Sequence, residues 1–499
     1  MLSARILGAG AAAEAFQLAF LIPNLFRRLF GEGAFSSGFV PLFSKRLHGS
    51  DGQGGGEAEA KAFAEEVLAV FAPALMLITA VVMVAMPAFI ALIVPDNWGG
   101  GDSKTDFAIE LTRITMPYMV LICLVSLVSG VLNSLNRFAA AAFAPALLNI
   151  ALVGALLLFP QGGATTARAM AWAVVVGGVF QLVLCWVTMH RAGVKLSLRP
   201  PKLTPGVREL VVLILPATFA GGIYYISQFF YAFFATRLPE GTLVYLAFAD
   251  RLNQLPLAII GSALGTAILP AISRAVDVGG GEGAGKIQAQ AVDFAMLLTL
   301  PAAVGLAVLA QPIAAALFQG GRFTADDARA TGLVLAIIVA GLPAYVLIKV
   351  LTPGFYARKD VKTPVNIAIA MLVAGVALNF ALIGTLGIVT LPLTTALTAW
   401  GNALILYAIL HARGHFAIPG WLTARLMKQL LAAGAMAAAL WGMEQLLGSW
   451  FAGSTGRRLI ALASVVGVGG VVYFGIAFIL GAFDRDGLKS MLSKRPISQ

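Results

Sequence analysis

The amino-acid sequence predicts an all-α polytopic membrane protein, and three observations carry that expectation. Hydrophobic residues make up 59% of the 499 positions and charged residues only 11%, where an ordinary soluble domain has roughly 25% charged residues. The mean hydropathy is +0.89. A soluble particle of this size would lack the polar side chains to cover its surface, which excludes a soluble enzyme. Apolar runs also recur at the length a helix needs to cross hydrocarbon, roughly 20 residues for about 30 Å. The 54 Gly and 23 Pro are scattered without period, which excludes a fibrous or low-complexity chain.

Read in order, the expected spans are 11–43, 66–94, 107–134, 138–159, 165–190, 207–236, 243–273, 290–317, 326–350, 365–386, 388–411, 423–446 and 457–482, after a short apolar piece at 1–9. The longest polar stretches, 44–62, 191–208, 274–290 and 349–364, leave no room for a soluble domain. Lys and Arg collect in the loops on the cytoplasmic side of a membrane protein. One alternating set of loops, from 44–62 to the tail 484–499, holds 21 of them, and the other set holds 7. The first set and the C-terminus are therefore expected to be cytoplasmic. The net charge of +11 reads as this loop bias facing anionic lipid, with no nucleic-acid partner implied.

The two halves resemble each other weakly. Val40-Pro41-Leu42-Phe43-Ser44-Lys45 matches Leu269-Pro270-Ala271-Ile272-Ser273-Arg274, and Val131-Leu132 with Pro145 matches Val350-Leu351 with Pro364. The nearly constant offset predicts a parallel duplication joined at the Pro-rich stretch 191–208. Chance similarity between Ala-rich apolar segments is the alternative. The expected organisation is an N-terminal lobe at 1–190, a cytoplasmic linker at 191–208, a C-terminal lobe at 209–411, and a helix pair with a basic tail at 412–499. Two such bundles facing a central cavity form a transporter.

Ionisable residues inside spans mark function, because each is costly in hydrocarbon. Arg27 lies about 24 Å into its span at 1.5 Å per residue, with apolar sequence continuing to Phe43. Arg28 is its neighbour, and Glu32 follows Arg28 at i+4 between Gly31 and Gly33. An Arg28–Glu32 ion pair in a kinked helix is the alternative to a cavity role. Pro23 and the two glycines predict a broken helix, the device by which transporters expose backbone to a cavity. Asp250-Arg251 repeats the theme in 243–273, followed by Pro256. Glu14 stands near the start of its span, either as a cavity acid or as a cap on a helix N-terminus. Arginine binds phosphate bidentately and stays charged, so a cavity with Arg27 and Arg251 predicts an anionic cargo, most naturally a phosphate or diphosphate. The uncharged faces that follow suit a lipid tail.

Other chemistries find little support. Gly280 to Lys286 spells most of a phosphate loop, but Ile287 stands where Ser or Thr would hold magnesium and no strand precedes it. His48, His190, His411 and His415 lack zinc-protease spacing. Cys123 and Cys185 sit in apolar runs and read as buried free thiols. No catalytic residue, cofactor or metal is expected.

The run Ala4-Arg5-Ile6-Leu7-Gly8-Ala9-Gly10, then Glu14-Ala15-Phe16, and above all Pro23-Asn24-Leu25-Phe26-Arg27-Arg28-Leu29-Phe30-Gly31-Glu32-Gly33-Ala34-Phe35-Ser36 closely resemble the MurJ (MviN) lipid II flippases. Leu132 to Phe138, Ala142 to Pro145, Leu148-Asn149, Ala249 to Leu252 with Pro256, and Lys349 to Pro364 match as well. The resemblance covers essentially the whole chain. It implies a fourteen-helix fold of the MOP exporter superfamily, with two pseudo-symmetric six-helix lobes plus a C-terminal pair. It also implies transfer of the undecaprenyl-diphosphate-linked peptidoglycan precursor, lipid II, from the cytoplasmic to the periplasmic leaflet by alternating access. In that family the C-terminal pair, here about 423–482, lines a groove for the lipid tail. Cavity arginines carry over to Arg27 and Arg251, and nearby acids to Glu14 and Glu32; Arg28 and Asp250 adjoin them. The family's first helix begins further upstream with more cavity arginines, so the first helix is expected to be truncated here. Sodium-binding acids are not found in 207–236, 365–386 or 388–411 beyond Glu209 at an entrance. The implied setting is the bacterial inner membrane, among membrane lipids, with the chain acting as a monomer beside cell-wall synthesis or division machinery. The alternative is a MOP-superfamily exporter of another polyprenyl-diphosphate-linked glycan or of drugs.

Overall fold

The computed structural model describes residues 1–31, 34–49, 55–98, 102–197, 199–277 and 281–482; for residues 26–31, 34, 36–37, 216–225, 262–267 and 281–282 it describes the backbone course alone. Every regular element of length among the described residues is helical. The chain divides into two compact units, Met1–Val244 with Gly321–Phe323, and Tyr245–Gly320 with Thr324–Gln499.

The first unit holds α1 (Leu2–Leu7), α2 (Ala11–Gly31), α3 (Ala34–His48), α4 (Glu57–Ile93), α5 (Asp102–Thr115), α6 (Pro117–Ser134), α7 (Phe138–Leu158), α8 (Gly163–Arg191) and α9 (Pro205–Ala235). The expected span 107–134 is two helices, because Pro117 opens α6 and lacks the N–H that would continue α5. Phe35, Phe39 and Phe43 recur at i+4 on α3 and stack on one another and on Phe63 and Phe71 of α4, with Phe35–Phe71 centroids 4.9 Å apart. A Cβ at Gly178 on α8 would stand 2.7 Å from the Tyr118 ring of α6. Glycine is required for that close approach, and close packing is what holds helices together in lipid, where apolar burial gives no drive.

The linker expected at 191–208 overlaps the end of α8 and the start of α9, and between them it is fastened to α4. Glu65 accepts from the Ser197 amide at 2.8 Å and pairs with Arg199 at 2.7 Å, and Glu66 accepts from the Thr204 hydroxyl at 2.7 Å. Arg46 pairs with Glu209 at 3.0 Å, and Thr236 donates to the Ile93 carbonyl at 3.0 Å. These contacts bind α9 at both of its ends to α3 and α4, so compactness groups α9 with the first unit, whereas the sequence reading begins the second lobe at 209.

The second unit holds most of α10 (Thr242–Asp277), then α11 (Gly281–Val308), α12 (Ala310–Phe318), α13 (Ala325–Ile338), α14 (Leu342–Tyr356), α15 (Lys362–Leu386), α16 (Thr390–Ala412), α17 (Gly420–Leu446), the short α18 (Gly448–Phe451) and α19 (Thr455–Ile479). The expected span 290–317 breaks at Leu309, and 326–350 passes through a 3-10 turn at Val339–Gly341 just ahead of Pro343. Thr324 and Asp327 form a reciprocal capping box that starts α13. α17 and α19 are tied to α11: buried Asp293 accepts from Arg425 and Gln429, each at 2.8 Å, and the Tyr473 hydroxyl donates to the Leu297 carbonyl at 2.9 Å.

Ten stretches among the described residues are long and apolar enough to cross a membrane, and one of them, Lys362–Ala412, contains both α15 and α16. The remaining expected spans, 11–43 and 207–236, show shorter apolar stretches at Ala11–Leu25 and Ile226–Ala235. Large apolar side chains stand open on the helix surfaces, among them Val84, Val471 and Ile479, each at least 75% exposed. A surface of this kind is stable in lipid and not in water. The protein is a multi-pass membrane protein.

Candidate functional site

Five of the six site residues expected from the sequence fall on two helices, α2 and α10, and the sixth, Glu32, lies outside the described residues. Arg27 and Arg28 lie on α2; their side chains, and Glu32 altogether, are outside the described residues. Glu14 lies on the first turn of the same helix, thirteen residues before Arg27 and so about 20 Å from it along the axis. The two do not share one local site.

Glu14 is fully committed. It is 2% exposed. One carboxylate oxygen accepts from Lys104 Nζ at 2.6 Å, and the other accepts from the amides of Gly241 at 2.9 Å and Leu243 at 3.2 Å. Those amides open α10, whose first residues belong to the first unit. A carboxylate suits a helix N-terminus because the free N–H groups and the macrodipole are positive there. The sequence reading has Glu14 as a cavity acid or a helix cap; the structure gives it a capping geometry, on α10 and not on its own helix. Lys104 also sits 4.2 Å from the Trp98 ring centroid. The sequence counts Lys104 as a loop cation, and no local signal links it to an acid ninety positions away.

Asp250 and Arg251 sit on α10, about 12–14 Å from its first residue. Protein surrounds the Arg251 guanidinium, yet it remains open at its surface. Among the described residues it forms no hydrogen bond or ion pair; Asp250 next to it acts on it through charge alone. Asp250 accepts from Gln254 one turn along and lies close enough to Tyr345 of α14 to act on it electrostatically. The Tyr345 hydroxyl reaches the Thr395 carbonyl of α16 at 3.4 Å. One turn beyond Tyr345, Lys349 is exposed and lies against α10, where a Cβ at Gly261 would stand 2.5 Å from its Nζ. Tyr345 and Gln254 meet Asp250, the residue beside Arg251, and the sequence reading assigns neither; Lys349 packs further along α10. In the sequence Lys349 stands where the span 326–350 meets the polar stretch 349–364, and its packing partner is not legible there.

An open arginine on an apolar helix, without a partner among the described residues, has the chemistry to receive an anion: its planar fork offers two parallel donors to a phosphate and cannot be discharged by deprotonation. Asn379 and Thr394, the polar pair in the spans 365–386 and 388–411, bond to each other at 2.8 Å in a buried position. Among the described residues no group of three or more His, Cys, Asp or Glu gathers to hold a metal ion.

The family model described as lipid II flippase MurJ matches residues 3–461. The chain is 38% identical to the probable lipid II flippase MurJ of Rhizobium tropici, over 99% of this chain and 93% of the relative. It is 35% identical to the lipid II flippase MurJ of Burkholderia cenocepacia, over 96% and 93%. Among solved structures, a lipid II flippase MurJ in an inward closed conformation superposes with a TM-score of 0.77 at 21% identity, covering 98% of this chain and 95% of that one. An inward-facing multidrug resistance MATE transporter of the MOP superfamily gives a TM-score of 0.68 at 16% identity, covering 83% and 92%. The likeness in fold thus extends across the superfamily, while the likeness in sequence is specific: the chain belongs to the lipid II flippase MurJ family.

Proposed function

We infer that the protein is a flippase that carries lipid II from the cytoplasmic to the periplasmic leaflet of the bacterial inner membrane by alternating access. Family membership across nearly the whole chain supports this reading, and the single observation in the molecule that carries it is Arg251, charged and without an ion-pair partner among the described residues on an apolar helix. The work is binding and release, with no covalent step. Arg251 and Arg27 take the substrate's diphosphate, and its negative charge offsets the cost of holding guanidinium groups away from bulk water. Arg28 and Glu32 adjust the field beside Arg27, and Asp250 holds Gln254 and biases Arg251.

In this reading the chain works as two lobes and a C-terminal pair, 1–190, 209–411 and 412–499, with 191–208 as the cytoplasmic linker. The C-terminus is cytoplasmic, as the 21-to-7 division of loop Lys and Arg favours. The pair serves the lipid tail. An apolar hollow of about 280 Å³ beside it, lined by Leu306, Leu309, Met436, Leu440 and Val466, has the chemistry a prenyl chain requires. The flippase acts as a monomer among membrane lipids and alongside the cell-wall synthesis or division machinery.

The test is complementation of a flippase-depleted strain. Wild-type protein restores growth, and Arg27→Ala and Arg251→Ala insert normally but do not. Normal growth of both variants removes the proposed diphosphate site.

A further inference from the structure

Arg237 is a cation that the substrate reading leaves unused. It stands just past the end of α9 and lines a cavity of about 220 Å³ together with Asn97, Trp98, Lys104 and Glu240. All five residues belong to the first unit. The loops that carry them, 95–106 and 237–242, come from the set poor in Lys and Arg, which is periplasmic in the proposed function.

The ordinary account of Arg237 is a helix cap, since basic side chains near a C-terminus bond its free carbonyls. That account uses one nitrogen. Nη1 donates to the Ile93 carbonyl at 2.8 Å and to the Phe233 carbonyl at 2.6 Å, and the guanidinium lies 3.3 Å from the Phe233 ring centroid. Nε and Nη2 form no hydrogen bond among the described residues, and Arg237 has no ion-pair partner there. The same edge of an arginine holds a carboxylate elsewhere in this molecule: Nε and Nη2 of Arg168 donate to the two oxygens of Glu110 at 2.6 and 2.8 Å. Arg237 is thus a guanidinium fixed on a ring and two carbonyls, with its carboxylate-binding edge unused.

The other charges of the cavity select the ligand. Lys104 is already matched by Glu14 at 2.6 Å, so Arg237 is the cation left over. Glu240 is exposed and forms no ion pair among the described residues; its charge disfavours a doubly charged phosphate. A single carboxylate meets less repulsion, and an amide N–H beside it gives Glu240 a donor. The end of a peptide has both groups. We propose that this cavity is a periplasmic subsite for a carboxylate of the peptide part of the lipid-linked precursor, with Arg237 as its receptor. The proposal rests on the lipid II flippase reading and deepens it: Arg27 and Arg251 take the diphosphate, and Arg237 takes the peptide. A receptor on the outer side gives the headgroup a contact that it gains only after crossing.

The test measures binding of three lipids to purified full-length protein in lipid nanodiscs: lipid II, lipid II with its peptide carboxylates amidated, and undecaprenyl diphosphate. Wild type binds all three and prefers lipid II to the amidated form roughly fivefold or more, the scale of one charge-assisted hydrogen bond. Arg237→Gln abolishes that preference and binds undecaprenyl diphosphate as wild type does, which separates the subsite from the fold. Arg237→Lys keeps the charge without the side-on edge and retains only part of the preference. Glu240→Gln leaves the Arg237 cap untouched and widens the preference. Equal affinity of wild type for the two forms of lipid II overturns the subsite alone, as does a preference in Arg237→Gln equal to that of wild type, or an unchanged or narrower one in Glu240→Gln. A wild type that binds neither lipid II nor undecaprenyl diphosphate overturns the flippase reading together with the subsite.

Discussion

Lys104 donates to Glu14 across 2.6 Å, and both side chains are almost wholly enclosed, at 4% and 2% exposed. The carboxylate also accepts two backbone amides, so its charge is matched on every side. Removing one partner of such a pair strands the other, at a cost on the order of 3–5 kcal/mol. Lys104→Met is expected to lower the melting temperature of the purified protein sharply, and Lys104→Met with Glu14→Gln to recover part of the loss. A strictly additive double-mutant cycle would show that the two residues are not coupled.

Asp293 plays the matching role in the second unit, where it ties α11 to α17 through Arg425 and Gln429. Arg425→Ala removes a charged hydrogen bond from the buried Asp293, a loss of about 1.5–3 kcal/mol. Limited proteolysis should then cut the 413–419 turn before α17 faster than in wild type. Unchanged cleavage and an unchanged melting temperature would show that α17 is held by apolar packing.

The turn between α14 and α15 gives a pH prediction. Asp360 accepts from the Thr363 hydroxyl at 2.6 Å, from its amide at 3.0 Å, and from Arg413 at 2.7 Å. The Thr363 bonds first, and then Arg413, hold its carboxyl down to about 2. A carboxylate depressed by folding binds protons more readily when unfolded, so its contribution is complete above the unfolded value and is lost as pH falls toward the folded one. The gap in melting temperature between wild type and Asp360→Asn should be flat above pH 5 and should shrink from pH 4 toward pH 2. A gap that is constant through that range would assign the effect to hydrogen bonding without charge.

Arg251 gives the sharpest chemical contrast. Arg251→Lys keeps the charge but loses the planar fork, so it should support growth of a flippase-depleted strain only weakly, while Arg251→Ala should fail. Equal growth of Arg251→Lys and wild type would show that charge alone suffices at this position.

The fold class was legible because the membrane allows so few solutions: apolar runs of spanning length must be helices, and the run positions follow. The helix breaks at Met116 and Leu309 were less legible, because a proline at a helix start and a proline inside a helix look alike in sequence; Pro23, Pro41 and Pro87 all lie within helices. Arg251 announced itself by being charged in an apolar run. Its neighbours did not, since Tyr345 is ordinary in a span and its meeting with Asp250 depends on how α14 packs. Glu14 was visible as a misplaced acid, but Lys104 and the α10 amides come from ninety and more than two hundred positions away, and no periodicity encodes such a pairing.

Transfer itself is the central claim. Purified protein reconstituted into vesicles with fluorescent lipid II, and challenged with a reductant that bleaches only the outer leaflet, reports it directly. The account predicts that wild-type vesicles lose nearly all fluorescence, while vesicles with Arg251→Ala lose only the outer-leaflet share. Equal bleaching of wild-type and protein-free vesicles would contradict it.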